Sequence, residues 1–543
     1  MYNCENCGAA LRYDISSGLL KCDKCMSLFA PDEYDEKHNK DSMSGAEKNE
    51  DYDGVYDTIR YRCPHCGGEI YTEDENTAAS FCSYCGASAV MEEEFVGIKR
   101  PKYVIPFKID KDMCKKLYLK QVRSNIFADS KLKKPGHIEK FRGIYIPYWV
   151  YSAKHTGIAS FGADGKSTRK GDYIYTPKYM VNVDIDDEST GVSYDASASF
   201  DDVLSESIAP YDYNGVKKFY PSYLTGFFAD TADVDGSVYV DEAGEKFDEI
   251  TLKRIENEGS LKGLTVENEK AISSFSKIRF MKRADSALYP VWFLTYRNED
   301  RLAYSIINGQ TGKAYADVPI DRRKYFLFSF ILAIPIFLFL ESLITYTPHK
   351  VLFCCMIIAA IVAIMCNIEL KRLIKRNNHE DDKGYRSKQL EEKKKEFNEM
   401  DVIDLTDKIK IPEKDKKSTL ATIALICIIA SPFLSTLFIY FSQFKLLGLV
   451  FGIGVGIGLF FSILDKEKKL DDKKIIKEFI VFEVAIWFST LVYVIDPVRD
   501  FISYGAIILL IIGIIILISG IIRLYNILAT KPLPHFNRRG GSQ

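Results

Sequence analysis

Six apolar stretches crowd into the C-terminal portion of the chain, at roughly 325–345, 351–370, 419–440, 444–464, 478–495 and 501–522. Each approaches the ~20 residues that a helix needs to cross the hydrocarbon core of a bilayer. A backbone inside lipid must satisfy its own hydrogen bonds, so these stretches predict an all-α polytopic membrane domain of six helices. Lys and Arg in short flanking loops mark the cytosolic side. Arg322, Arg323 and Lys324 precede the first stretch, 15 basic residues fall in 371–418 and six in 465–477, whereas the opposite loops hold only Lys350, Lys445 and Arg499. The pattern predicts a multi-pass protein of the plasma membrane with both termini in the cytosol. Gly448, Gly452, Gly454, Gly456 and Gly458 give the fourth stretch small faces on which a neighbouring helix can pack, and oligomerisation through such faces stays open. Glu341, Glu369 and Glu483 fall toward the ends of the expected helices, where they give little support to a transport path.

Eight of the 13 cysteines form four C-x-x-C pairs near the N-terminus. Cys4 and Cys7 are followed after 14 residues by Cys22 and Cys25, while Cys63 and Cys66 are followed after 15 residues by Cys82 and Cys85. Each pair can form a tight knuckle that aims two thiolates at one ion, and two knuckles complete a tetrahedron. Gly8, Gly67 and Gly86 follow three of the pairs, where a positive φ turns amides toward sulfur. The spacing predicts two structural Zn2+ ions with four cysteines each, in two small β ribbons. Disulfides or redox-active thiols are the alternatives, and the absence of a basic, apolar leader before Cys4 argues for a reducing compartment instead. A closed four-thiolate shell leaves no position for substrate.

The formal net charge of -2 conceals an acidic N-terminus, because the first 94 residues hold 20 Asp and Glu against 8 Lys and Arg. Phosphate binding needs a basic stripe, so charge argues against nucleic acid as the ribbons' partner and favours docking of proteins. Residues 31–60 are acidic and without hydrophobic period, which predicts a linker that lets the ribbons move independently. The stretch 371–418 begins with Lys371, Arg372, Lys375 and Arg376, a cluster that suits anionic lipid headgroups as well as the inside-positive topology.

Residues 95–320 are rich in Tyr and Phe and read as a mostly β (α+β) cytosolic domain. Strand-like runs fall at Tyr103–Ile109, Gly143–Tyr151, Tyr173–Val183 and Ala287–Tyr296, and helical stretches at Lys111–Val122 and Glu245–Glu258. Tyr145–Tyr151 and Tyr289–Tyr296 echo one another, each with Pro at the start of an aromatic strand. Two phosphate-loop look-alikes fail on inspection. Gly165-Lys166-Ser167-Thr168 has Ser160 where the leading glycine belongs, and Asn308-Gly309-Gln310-Thr311-Gly312-Lys313 fits a hairpin turn. With the seven histidines scattered and no nucleophile elbow or metalloprotease helix, the chain presents no active site and is not expected to be an enzyme.

The tandem C-x-x-C pairs, then FRGIYIPYWVY, YDYNGVKKFYPSYLTGFFAD, LYPVWFLTY and NGQTGK before the first apolar stretch, resemble the bacterial membrane-anchored tandem zinc-ribbon proteins of bacilli and clostridia. These are often mislabelled as primosomal-helicase-like or as a transcription factor IIB-type zinc ribbon. The resemblance covers about residues 1–376 and implies zinc ligands at Cys4, Cys7, Cys22, Cys25, Cys63, Cys66, Cys82 and Cys85. It also implies flotillin-like (SPFH) or phage-shock-protein-A-like partners of envelope-stress systems, held at the membrane. The usual member ends after two membrane helices, whereas four more follow here.

The expected organisation is therefore multidomain: a zinc ribbon at 1–30, the acidic linker 31–60, a second ribbon at 61–94 and the β-dominated domain at 95–320. Membrane helices one and two follow at 321–370, a charged loop at 371–418, helices three to six at 419–522 and a cytosolic tail at 523–543. The expected role is a non-enzymatic membrane scaffold. A transporter or channel, and a membrane-tethered nucleic-acid binder, stay open as other classes.

Overall fold

The structure, a computed structural model, describes residues 2–38, 55–63, 69–72, 92–198, 200–257, 259, 261–298, 301–343, 347–396, 473–529 and 531–532. Within them the protein is multidomain, with a large sheet-rich domain and apolar C-terminal helices.

The chain opens with three short antiparallel strands, β1 (Leu11–Asp14), β2 (Leu19–Cys22) and β3 (Leu28–Phe29). Helix α1 (Pro31–His38) follows directly. The expected linker 31–60 thus begins as a helix and ends inside strand β4 (Val55–Arg62). Tyr34 explains the departure from a tether: it is buried, its hydroxyl donates to the Asn3 carbonyl at 2.7 Å, and its ring meets Tyr2 at 5.6 Å. Asp35 then accepts the Ser222 amide at 3.0 Å, and the Ser222 hydroxyl donates to the Pro31 carbonyl at 3.0 Å. These contacts lie near 190 residues away in sequence, beyond the reach of local periodicity. The first ribbon is packed onto the sheet domain, and Tyr2, Leu11, Tyr13 and Leu20 share one apolar core with Phe107, Tyr145 and Trp292.

Strands β4, β5 (Glu69–Thr72) and β6 (Glu92–Lys99) form an antiparallel group with β4 in the middle. Strand β7 (Tyr103–Val104) is short, and the rest of the run Tyr103–Ile109 is not strand. Two long strands dominate the domain: β8 (Arg142–Asp164) and β11 (Lys178–Asp195), joined through the small hairpin β9 (Thr168–Lys170) and β10 (Tyr173–Tyr175). After β12 (Lys217–Lys218) and β13 (Phe228–Ala229) come β14 (Thr265–Val266), β15 (Arg279–Met281), β16 (Asp285–Asn298), β17 (Arg301–Asn308) and β18 (Ala314–Ala316). The principal sheet runs β12-β7-β16-β8-β13-β5-β4-β6, so the strands expected to carry the second ribbon continue it.

The two echoing aromatic segments are hydrogen-bonded neighbours, with Tyr289 opposite Ile146 and Pro290 opposite Tyr145. Pro147 and Pro290 lie within long strands rather than at their starts. Each stands where pairing on one flank has lapsed: β11 pairs with β8 only as far as Tyr148, and Pro290 falls between the end of β7 pairing at Leu288 and the start of β17 pairing at Val291. A missing N–H costs little there. The aromatic residues fill the core, with Phe107 stacked on Phe227 at 4.4 Å and edge-on to Trp292 at 5.2 Å. Asn308–Lys313 is the expected hairpin turn between β17 and β18, and Asn308 Oδ1 accepts the amides of Gln310 and Thr311 at 2.9 Å each.

Helices pack against this sheet. Asp110 caps α2 (Lys111–Ser124) through the Met113 amide, and Asp201 caps α3 (Asp202–Ile208) through the Val203 amide. Helix α4 (Val240–Asn257) begins five residues before the expected Glu245, and with α5 (Asn268–Ser276) it covers the outer half of β8 and β11 through Leu252, Ile255 and Phe275.

The C-terminal helices are α6 (Arg322–Leu343), α7 (Pro348–Asn377), α8 (Lys383–Glu396), α9 (Lys473–Ile495) and α10 (Asp500–Ala529). Among the described residues three helices are long and apolar enough to cross a membrane, at Pro348–Asn377, Lys474–Ile495 and Asp500–Ile527. They match the expected stretches 351–370, 478–495 and 501–522. The stretch 325–345 falls on α6, which adjoins residues outside the description, and 419–440 and 444–464 lie outside it altogether. Three of the six expected stretches are thus candidate spans among the described residues. Phe353 and Ala359 of α7, Phe482 and Ala485 of α9, and Leu510 and Leu517 of α10 form one core, while Ile358, Val484 and Ile512 point outward. A Cβ on Gly513 would stand 3.2 Å from that of Ala485, so glycine permits the close approach of α9 and α10. Glu483 lies ten residues into the Lys474–Ile495 span, deeper than expected from the sequence.

Candidate metal centre

Cys4, Cys7, Cys22 and Cys25 bring their sulfurs within 4.8 Å of one another. The two pairs build the same local structure. The Cys4 amide donates to the Ala9 carbonyl at 2.7 Å and the Gly8 amide returns to the Cys4 carbonyl at 2.8 Å. Likewise, the Cys22 amide donates to the Ser27 carbonyl at 3.0 Å and the Met26 amide to the Cys22 carbonyl at 2.9 Å. Gly8 has φ +70°, as its place after the pair predicts, and Met26 adopts φ +62° without the freedom of glycine. The two turns differ in residue but not in shape.

Cys4 lies 3.4 Å from Cys25 and Cys7 lies 3.4 Å from Cys22. A disulfide needs about 2.05 Å, whereas four sulfurs about 2.3 Å from one tetrahedral ion stand roughly 3.8 Å apart. The donor set therefore fits a closed tetrahedral metal ion. Cys4 and Cys22 are buried and Cys7 and Cys25 exposed, so each knuckle contributes one inner and one outer sulfur. Ser27 draws the Cys25 thiol down to about 6 through its hydroxyl, 3.1 Å away, and through its amide. The Ala9 amide favours the Cys7 thiolate, yet the neighbouring Cys22, Cys25 and Cys4 together hold its proton up to about 12. Asn6 donates to the Ser27 hydroxyl at 2.8 Å and so steadies the group that supports Cys25.

Cys63, expected as a ligand of a second ion, follows β4 and is buried; Cys66, Cys82 and Cys85 lie outside the described residues. The β4 register places residue 92, the start of β6, opposite Arg62, beside Cys63.

The chain is 27% identical over 328 residues to an uncharacterised protein of Bacillus subtilis (strain 168), YdjG. The alignment covers 60% of this chain and 91% of that relative. No family model matches the chain, and no solved structure matches it.

Two further clusters had no signature in the sequence. His155 is buried on β8, with Nε2 2.8 Å from Asp248 Oδ1 on α4 and Nδ1 3.3 Å from the Thr251 hydroxyl; Arg279 of β15 donates to the other Asp248 oxygen. The second lies where the sheet domain meets the chain leaving α7. Burial pushes the carboxyls of Asp195, Asp202 and Asp382 upward, that of Asp202 to about 7. Asp201 and His379 adjoin them. Members of the first cluster are separated by up to 124 residues and those of the second by up to 187, so spacing rules cannot reveal them.

Proposed function

We propose that the protein is a non-enzymatic membrane scaffold that holds cytosolic partners at the bilayer. A closed four-cysteine centre built into the core of a sheet domain, which is itself tied to the apolar helices, is the observation that supports this reading most directly. Zn2+ is the ion that such a thiolate set selects, and it would be held by Cys4, Cys7, Cys22 and Cys25 as a structural element. Cys63, Cys66, Cys82 and Cys85 would hold a second zinc ion. The reading keeps six spans and a cytosolic ribbon face, with flotillin-like or phage-shock-protein-A-like proteins as partners.

The first ribbon is fixed on the domain through one face, leaving the exposed Cys7, Cys25 and Met26 side outward. Affinity capture from native membranes tests the role with Cys7→Ser/Cys25→Ser beside the unaltered chain. Loss of those partners in the variant supports scaffolding, and capture of the same partners by both refutes ribbon-mediated docking.

Transport is a second reading, and Glu483 favours it. This side chain is buried among the apolar helices, its Oε1 accepts the Trp487 indole N–H at 2.9 Å, and its Oε2 has no hydrogen-bond partner. Carboxylates at such depth commonly serve ion or proton paths. Proton or cation flux in liposomes that disappears in Glu483→Gln would establish this reading in place of the first.

A further inference from the structure

Asp201 and Asp382 are brought together by the docking of the sheet domain against the turn that leaves membrane helix α7. Asp201 starts α3, its Oδ1 accepting the Val203 amide at 2.9 Å. Asp382 starts α8, its Oδ1 accepting the Tyr385 amide at 2.8 Å. Between them stands His379, held at φ +51° just past the end of α7 and stacked on Tyr385 at 4.3 Å. Its Nδ1 lies 3.7 Å from Asp382 Oδ2, too far for a hydrogen bond, and is buried without a hydrogen-bond partner. One donor atom each from Asp201, His379 and Asp382 falls within 4.8 Å of the others.

Asp195 is 2% exposed and its Oδ2 has no hydrogen-bond partner. The charges of Asp202, Asp382 and Asp201 bear directly on it. Buried carboxylates gathered this closely are costly unless a cation offsets them. Of the nearby cations, Arg376 is paired with Asp317 while its charge also reaches Asp201, and Lys383 is paired with Glu242. Ligands of one ion bonded at about 2.1 Å stand roughly 3–4 Å apart, the separation of His379 Nδ1 and Asp382 Oδ2.

We propose that this cluster is a divalent-cation site in which Asp201, His379 and Asp382 supply the ligands, with Asp195 as the further buried charge that the ion offsets. Carboxylates and one imidazole suit a first-row ion of the Mn2+, Fe2+ or Zn2+ class, unlike the softer all-thiolate centre. Asp201 belongs to the sheet domain, whereas His379 and Asp382 belong to the exit from a membrane helix. The ion clasps the two, strengthening a seam already drawn together by Arg376 on Asp317 at 2.7 Å and by Lys388 on Asp233. This site is independent of the scaffold reading.

Mn2+ serves as the probe, added to the full-length protein in detergent after the cysteine centre has been supplied with zinc. Electron paramagnetic resonance counts bound Mn2+, and its echo modulation detects coupling to an imidazole nitrogen. The unaltered chain is expected to bind one Mn2+ with that coupling. His379→Gln should remove the coupling and weaken binding roughly tenfold or more. Asp201→Asn should weaken it similarly while retaining an oxygen that caps α3, which separates loss of charge from loss of the helix start. Cys25→Ser should leave Mn2+ binding unchanged. Absence of bound Mn2+ at about 1 mM, or binding without nitrogen coupling that His379→Gln and Asp201→Asn leave intact, overturns the proposal.

Discussion

Asn526, near the end of the last helix, closes a pair of hydrogen bonds on the backbone of Ile320. Its Oδ1 accepts the Ile320 amide at 2.8 Å and its Nδ2 donates to the Ile320 carbonyl at 2.7 Å. A primary amide offers the same donor and acceptor pair as a strand neighbour, so Asn526 pairs as one residue of sheet would. Strand β19 (Lys531–Pro532) continues the contact by pairing with Leu302 and Arg301 of β17. The chain thus returns from α10 to the sheet domain just before α6 begins.

Asn526→Leu should uncouple this return. Loss of two hydrogen bonds at about 1 kcal/mol each predicts roughly tenfold or greater acceleration of hydrogen exchange at the Ile320 amide, with exchange in β8 unchanged. Equal protection at Ile320 in the variant would show that the pair contributes nothing to the join.

The unequal turns of the cysteine centre provide a second prediction. Met26 is 63% exposed and sits at φ +62°, where a non-glycine residue is strained. Met26→Gly should therefore stabilise the metal-loaded ribbon by about 1 kcal/mol, and Gly8→Ala should destabilise it by a similar amount. Competition of each variant with a chromophoric chelator for zinc measures the change. Opposite signs at the two positions are expected because the turns have the same shape and only one already has glycine.

How far such features were legible depends on distance along the chain. Gly8 could be placed at positive φ because the knuckle is local, and the apolar stretches that became α7, α9 and α10 announce themselves by length. The start of α4 was less legible: the helix begins at Val240 and runs through Gly244, a weak helix former that suits the site because a Cβ there would meet the Arg279 guanidinium. Helix α1 was hidden for a related reason. Its single aromatic, Tyr34, finds Tyr2, while Pro31 and Asp35 find Ser222, and no hydrophobic period records partners of that kind. The gathering of Cys4, Cys7, Cys22 and Cys25 was visible as spacing, whereas Asp201 and Asp382 became neighbours only through domain docking.

Asp248 yields a third prediction. Its carboxylate is fully buried between His155 and Arg279, and removing one member of such a group leaves the others unpaired. Asp248→Ala should cost about 3–5 kcal/mol in the sheet domain, read as a lower thermal midpoint of its near-ultraviolet dichroism. His155→Ala combined with Asp248→Ala should cost less than the sum of the single changes, since each already forfeits their shared contact. Full additivity would show that the two side chains do not act together.

His137 sets an expected pH dependence. Its ring packs edge-on to Tyr118 at 6.2 Å, and burial, aided by the charge of Lys140, lowers its pKa to about 4. The unfolded chain takes up this proton near pH 6.5 and the folded one only near 4, so between those values the unfolded state binds more protons. The contribution to stability is therefore complete above pH 6.5 and is lost as the pH falls toward 4. At pH 5 the loss from this group is at most about 2 kcal/mol, reduced by solvent screening because the ring is only partly buried. His137→Phe keeps an aromatic ring against Tyr118 and removes the titration. Denaturant midpoints of the sheet domain measured from pH 7.5 to 4.5 should fall less steeply in the variant, with the two curves diverging below about pH 6.5. Parallel curves would place the acid sensitivity elsewhere.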